Sequence, residues 1–164
     1  MVKCSSPPIL KYIAFDHEEV KVYKGEGSVN LVAFYPYGIA TKLVSIENSM
    51  NHKILNPGDL PTGLKIYYSI ENATQLSQIK LLKGNEVLYQ LNFSDITSLN
   101  ENDKYICIDT SNHLIEGLDI NFKKTGNLYN RFIESGDFFS LPVGVYNISS
   151  NVQFLKVQFS AIYY

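Results

Sequence analysis

Apolar and polar positions alternate most clearly at the C-terminal end of the chain. Leu155, Val157, Phe159, Ala161 and Tyr163 fall on one face of an extended segment, and Lys156, Gln158 and Ser160 on the other. A period of two marks a strand with one face on a core, so Leu155, Val157 and Phe159 are predicted to point inward. Elsewhere Tyr, Val, Ile, Phe and Thr recur in short runs punctuated by Gly, Pro, Asn and Asp. This predicts strands over 19–23, 28–35, 41–46, 64–70, 78–83, 86–93, 104–109, 118–122, 138–141 and 146–148. Lys24-Gly25-Glu26-Gly27 supplies the permissive glycines of one hairpin, and Gly84-Asn85 reads as a two-residue II′ connection in another. A single short helix is predicted over 94–102, capped by Ser94 or Asp95. At least eight strands with so little helix predict an all-β chain, a two-sheet antiparallel β-sandwich preceded by a small β-hairpin segment.

Organisation follows from the polar run Glu47-Asn48-Ser49-Met50-Asn51-His52 and the turn cluster Asn56-Pro57-Gly58-Asp59. Together they place a boundary within 42–56, dividing the chain into an N-terminal β segment over 1–42 and a sandwich over 43–164. About three strands in the first part seldom bury enough surface to fold alone. Val29, Leu31, Val32, Ala33 and Phe34 give that small sheet two apolar faces, so Val29, Leu31, Phe34, Tyr35 and Tyr37 are read as assembly-facing.

Composition narrows the chemistry. The 164 residues are 45% hydrophobic and 18% charged, which excludes general disorder. Fourteen Lys+Arg against sixteen Asp+Glu leave a net charge of −2, and Arg131 is the sole arginine, so a nucleic-acid partner is not expected. No apolar run has bilayer-spanning length, and the first residues lack the pattern of a secretion signal. Cys4 and Cys107 make no disulfide framework, and Cys107 sits in an apolar run that reads as core. His17, His52 and His113 have no metal-ligand spacing, and Glu18-Glu19, Glu101, Asp103 and Asp109 read as solvated charges. Nucleophile-elbow, zinc-protease and phosphate-loop motifs are absent from the sequence, so neither catalysis, a cofactor nor a metal is expected. Twelve Tyr and nine Phe with no Trp supply mostly core. Tyrosine also suits sugar faces and protein interfaces, and Tyr35, Tyr37, Tyr129 and Tyr146 are the candidates for an exposed set. Of these, Tyr129 and Tyr146 are read as glycan or partner contacts.

The order of segments resembles a family. Lys24-Gly25-Glu26-Gly27-Ser28-Val29-Asn30-Leu31-Val32-Ala33-Phe34-Tyr35-Pro36-Tyr37-Gly38 is similar to the glycine-led strand that closes the N-terminal domain of phage distal tail proteins. Asn56-Pro57-Gly58-Asp59, Ile106-Cys107-Ile108-Asp109 and Gly136-Asp137-Phe138-Phe139-Ser140-Leu141-Pro142-Val143-Gly144 follow in the family's order. The resemblance implies a galectin-like or carbohydrate-module-like sandwich over 43–164, with 1–42 the remnant of a ring-forming domain. It also implies a six-fold ring, with the tail tube, hub and receptor-binding proteins as partners, in a virion component made in the host cytoplasm. Family members carry a longer region ahead of the glycine-led strand than the 23 residues found here. A fragment, a split-gene product and a reduced relative are the readings this leaves.

The leading expectation is therefore a non-enzymatic distal-tail or baseplate adaptor that holds other subunits through β surfaces and aromatic contacts. The alternative is a carbohydrate-binding module that adheres to host cell-surface glycan.

Overall fold

The computed structural model describes residues 38–39, 44–96 and 99–163. The hairpin expected around 24–27 and the assembly-facing residues Val29, Leu31, Phe34, Tyr35 and Tyr37 lie outside them. The described residues are all-β and antiparallel apart from one α-helical turn and one 3-10 turn. In chain order they form β1 (Gly38–Ile39), β2 (Val44–Asn56), β3 (Lys65–Ser69), α1 (Ile70–Ala73), β4 (Gln78–Lys83), β5 (Glu86–Phe93), β6 (Tyr105–Asp109) and β7 (Leu114–Leu118). Then come β8 (Lys124–Leu128), a 3-10 turn (Asn130–Phe132), β9 (Ile133–Ser135), β10 (Gly144–Phe159) and β11 (Ile162–Tyr163).

The long strand β10 organises the molecule. One of its edges pairs with β2; the other pairs with β4 near Asn147–Ser150 and with β3 near Lys156–Gln158. Two wings therefore grow from one strand, β3-β6-β7-β8 and β4-β5-β9, in a nine-stranded curled sheet. In the first wing the cross-strand row Val157–Ile66–Ile108–Ile115 is wholly buried. In the second, Ile148 pairs with Leu81 and Ile79 with Leu91, also wholly buried. Residues of both wings join one apolar cluster with Ile54, Phe139, Leu141 and Phe154, so the sheet closes on itself as a sandwich-like core. Each such side chain contributes roughly 1.5–3 kcal/mol on leaving water.

Several expectations hold in detail. The predicted strands 78–83 and 86–93 are β4 and β5, and their link has Gly84 at φ 61° with Asn85 outside the left-handed region, the II′ pattern. The polar run Glu47–His52 lies in the middle of β2, paired with β10, and is largely exposed there. Other expectations require correction. Residues 94–96 and 99–102 are not helical; the helical turn is α1, where the Ser69 hydroxyl accepts the Asn72 N–H at 3.4 Å. The expected strand over 118–122 is instead the end of β7 and a turn, and 138–141 contributes only a bridge from Leu141 to Thr62.

The C-terminal alternation keeps Val157, Phe159 and Ala161 inward, but Leu155 is half-buried while Phe154 is fully buried. The phase changes between Phe154 and Val157, just past a slip in the β2 pairing between Ser149 and Phe154 and opposite Asn48 at φ 48°. Two of the sequence landmarks meet in space. The Asn56 side chain donates to the carbonyls of Leu60 and Leu141 at 3.0 and 3.2 Å and accepts the Gly58 N–H at 3.1 Å. Asp59 donates its N–H to the Ile162 carbonyl at 2.8 Å, which ties the turn to β11.

Candidate binding face

The outer surface of the first wing carries the alternate residues of the same strands. One row reads Lys156–Tyr67–Cys107–Glu116, a second Gln158–Lys65–Asp109–Leu114 and a third Ser69–Tyr105–Leu118–Lys124. Period-two alternation thus sends aromatic, charged and amide groups to one surface while isoleucines fill the other.

Over this surface the β7–β8 turn lays Phe122. The Asp119 carboxylate accepts the N–H groups of Asn121 and Lys123 at 2.8 and 2.9 Å, and the Asp119 carbonyl accepts that of Phe122 at 3.0 Å. This holds Phe122 at φ 60°, a left-handed backbone that costs about 1–2 kcal/mol for a bulky residue. Its ring stacks on Tyr105 at 4.3 Å and 4° and meets Tyr67 edge-on at 6.1 Å. The Lys156 ammonium lies 4.2 Å from the Phe122 centroid and 4.5 Å from that of Tyr67. A face covered by Tyr105 has no room for an ammonium at that distance, so ring and cation hold Phe122 from opposite sides.

Tyr67 also lines a cleft of about 460 Å³, together with Thr62, Gly63, Lys65, Ser111, Gln158 and Ser160. Its walls are fixed from both sides. Thr62 donates its hydroxyl to the Ser160 carbonyl at 2.8 Å, and a Cβ on Gly63 would fall 1.8 Å from the Ser111 hydroxyl. Asp109 accepts the N–H groups of Ser111 and Asn112 at 3.0 and 3.1 Å, the Asn112 amide at 2.9 Å and the Lys65 ammonium at 3.4 Å. Burial raises the energy of its charged form, but the Asn112 hydrogen bonds and Lys65 outweigh that and hold its pKa below the usual carboxylate value. Cys107 is buried, and burial pushes its thiol up to about 12. Burial first, then Cys107, Asp109 and Glu116, likewise raises the Tyr67 phenol.

Both tyrosines proposed from sequence as contacts are interior. Tyr129 is 3% exposed and donates its hydroxyl to Asp103, and Tyr146 is 7% exposed and donates to the Val143 carbonyl at 3.2 Å. Neither belongs to the outer surface. Asp103 and Asp109, read as solvated, are buried, because each holds a loop by accepting hydrogen bonds within it. His113 packs its ring on Phe138 at 5.3 Å, and among the described residues no group of three or more His, Cys, Asp or Glu is placed to hold a metal ion. No helix among the described residues is long and apolar enough to cross a membrane. Tyr67, Tyr105 and Phe122 were not singled out from sequence, and Lys156 and Gln158 were named there only as the outward face of the last strand. The available signal was Asp119-Ile120-Asn121, an Asp-led turn that delivers the next side chain onto the sheet.

No family model and no curated protein matches the chain. Among solved structures it is similar to the SPP1 Dit (gp 19.1) protein, described as a paradigm of the hub adsorption apparatus in Gram-positive-infecting phages. The likeness has a TM-score of 0.58 at 13% identity and covers 80% of this chain. The fold is therefore Dit-like. The matched region spans 50% of the SPP1 Dit chain.

Proposed function

We propose that the protein is a structural component of a phage tail tip or baseplate, an adaptor between the tail tube and the host-binding apparatus. The observation that carries this reading is the shared fold over four-fifths of the chain with a hub adsorption protein. The segments around Asn56, Ile106 and Gly136, whose order resembles that of phage distal tail proteins, lend it further support. The work of such a component is binding and holding, not catalysis. In this reading residues 1–42 face the assembly through Val29, Leu31, Phe34, Tyr35 and Tyr37 and the chain forms a closed ring, six-fold if it follows the family. Its neighbours are then tail-tube, hub and receptor-binding subunits, and its place is the virion.

The test is immunogold electron microscopy of particles released from the host that carries the gene. Label at the tail tip in intact particles is expected. Label on capsids, or none on particles whose protein content includes the chain, contradicts the reading.

A further inference from the structure

We infer that the outer face of the second wing, from β2 across β10 and β4 to β5, docks a protein segment that presents aliphatic side chains and carboxylates together. This deepens the adaptor reading by giving the chemistry of one neighbour, and it rests on that reading only in taking the neighbour to be a protein.

Strand register puts the face together. Ile54, Ile148, Leu81 and Leu91 are buried in the core, so the alternate residues of the same strands share the opposite surface. One row there pairs Leu55 with Val145, and the adjoining row reads Lys53–Asn147–Leu82–Val87. Leu55, Val145 and Val87 are 54%, 47% and 45% exposed. Exposed aliphatic residues scattered singly need no explanation, but these three stand in neighbouring rows of one sheet face. The Gly84-Asn85 link fixes the register of β4 on β5, so the face is preformed.

Charge selects the partner. Lys53 stands in the second of those rows, and Lys80 takes the next outward position of β4 after Leu82. Neither makes an ion pair among the described residues, whereas Lys65 and Lys124 on the first wing are matched by Asp109 and Glu116. There is no Asp or Glu in β4, in β2 from Asn51 to Leu55 or in β10 from Val145 to Ser149, and the one acid of β5, Glu86, lies opposite Lys83. Two uncompensated ammonium groups beside an aliphatic row match a segment that alternates carboxylates with aliphatic residues. A purely anionic polymer would leave Leu55, Val145 and Val87 in water. An anionic membrane is held by clusters of roughly four to eight cations, and this face offers Lys53 and Lys80 alone.

Amide-resolved NMR titration of the full chain tests the face. The probes are three capped hexapeptides, one alternating leucine and glutamate, one alternating leucine and lysine and one of glutamate alone, together with phosphatidylglycerol vesicles. The leucine–glutamate peptide is expected to give saturable shifts centred on Lys53, Leu55, Lys80, Val87 and Val145, with Kd on the order of 1 mM. Its affinity should fall as salt rises. The double variant Lys53→Glu, Lys80→Glu should weaken it by about tenfold or more, and Leu55→Ser by about threefold. Unchanged dispersion of the amide spectrum shows that each variant is folded, and Lys53→Glu alone, at an exposed position, stands if the double variant unfolds. The inference is overturned by no saturable shift with the leucine–glutamate peptide, by equal binding of either other peptide, or by shifts centred on Lys104 and Lys123. A stronger response to the vesicles, or binding unchanged by the charge reversals, overturns it equally. Absence of label at the tail tip would instead strike the adaptor reading and leave the titration result standing, so the two fail separately.

Discussion

Gly136 shows how much one residue settles. Its φ of 88° is left-handed, and a Cβ there would come 2.1 Å from the Gln90 carbonyl oxygen on β5, whose backbone has nowhere to go. Gly136→Ala is expected to lose about 2 kcal/mol or more in denaturant unfolding, whereas Gly84→Ala, with open space around it, pays only the φ strain. Asp109 carries a pH signature. Its folded pKa is depressed, so its stabilisation is present above the unfolded carboxylate value and lost as pH falls through the folded one. Asp109→Asn should therefore lower stability at neutral pH and flatten the acid limb of the stability curve, measured by thermal midpoints across pH. An unchanged acid limb would show that other carboxylates set it. The buried acids were illegible in sequence because Asp in a turn-rich stretch looks the same whether it faces water or accepts its own loop's N–H groups.

At the scale of elements, the strands with clean alternation and a diagnostic turn were legible, and those without were not. Gln78–Lys83 and Glu86–Phe93 are joined by Gly84-Asn85, which fixes their register, so their bounds could be read directly. β2 could not, because Glu47 to Lys53 is largely exposed on both faces and carries no period. β10 carries two periods in opposite phase, and reading only the second placed Leu155 inside. The consequence is measurable: Phe154→Ala should cost about 3–5 kcal/mol, and Leu155→Ala much less, in equilibrium unfolding. Equal losses at the two positions would contradict the phase change. Phe122 poses the same problem on the outer face. A residue in the pattern of a strand instead takes a left-handed turn, and only the structure brings it to Tyr105 and Lys156. Phe122→Gly should therefore be more stable than Phe122→Ala by about 1 kcal/mol, the backbone term alone. The reverse order would show that no strain is held there.

At the scale of the molecule, both wings hang from β10 and share one core, so they should open as a unit. Native-state hydrogen exchange is expected to give Ile108 on β6 and Leu91 on β5 the same opening free energy, and separate values would mean two independent halves. The all-β architecture was legible because short apolar runs and the turn residues between them are local signals. The outer cleft was not, because it is assembled from β3, β10, β11 and the loops at Thr62, Ser111 and Ser160, far apart in the chain. The central claim is that this sandwich is a building block of a phage tail tip. Cryo-electron microscopy of the tail tip of particles containing the chain measures that most directly. The account predicts density at the junction of tube and tip into which residues 44–163 fit with β10 between β2 and the two wings, repeated around the tail axis. A tail tip fully accounted for by other chains, with this one absent from it, would contradict the account.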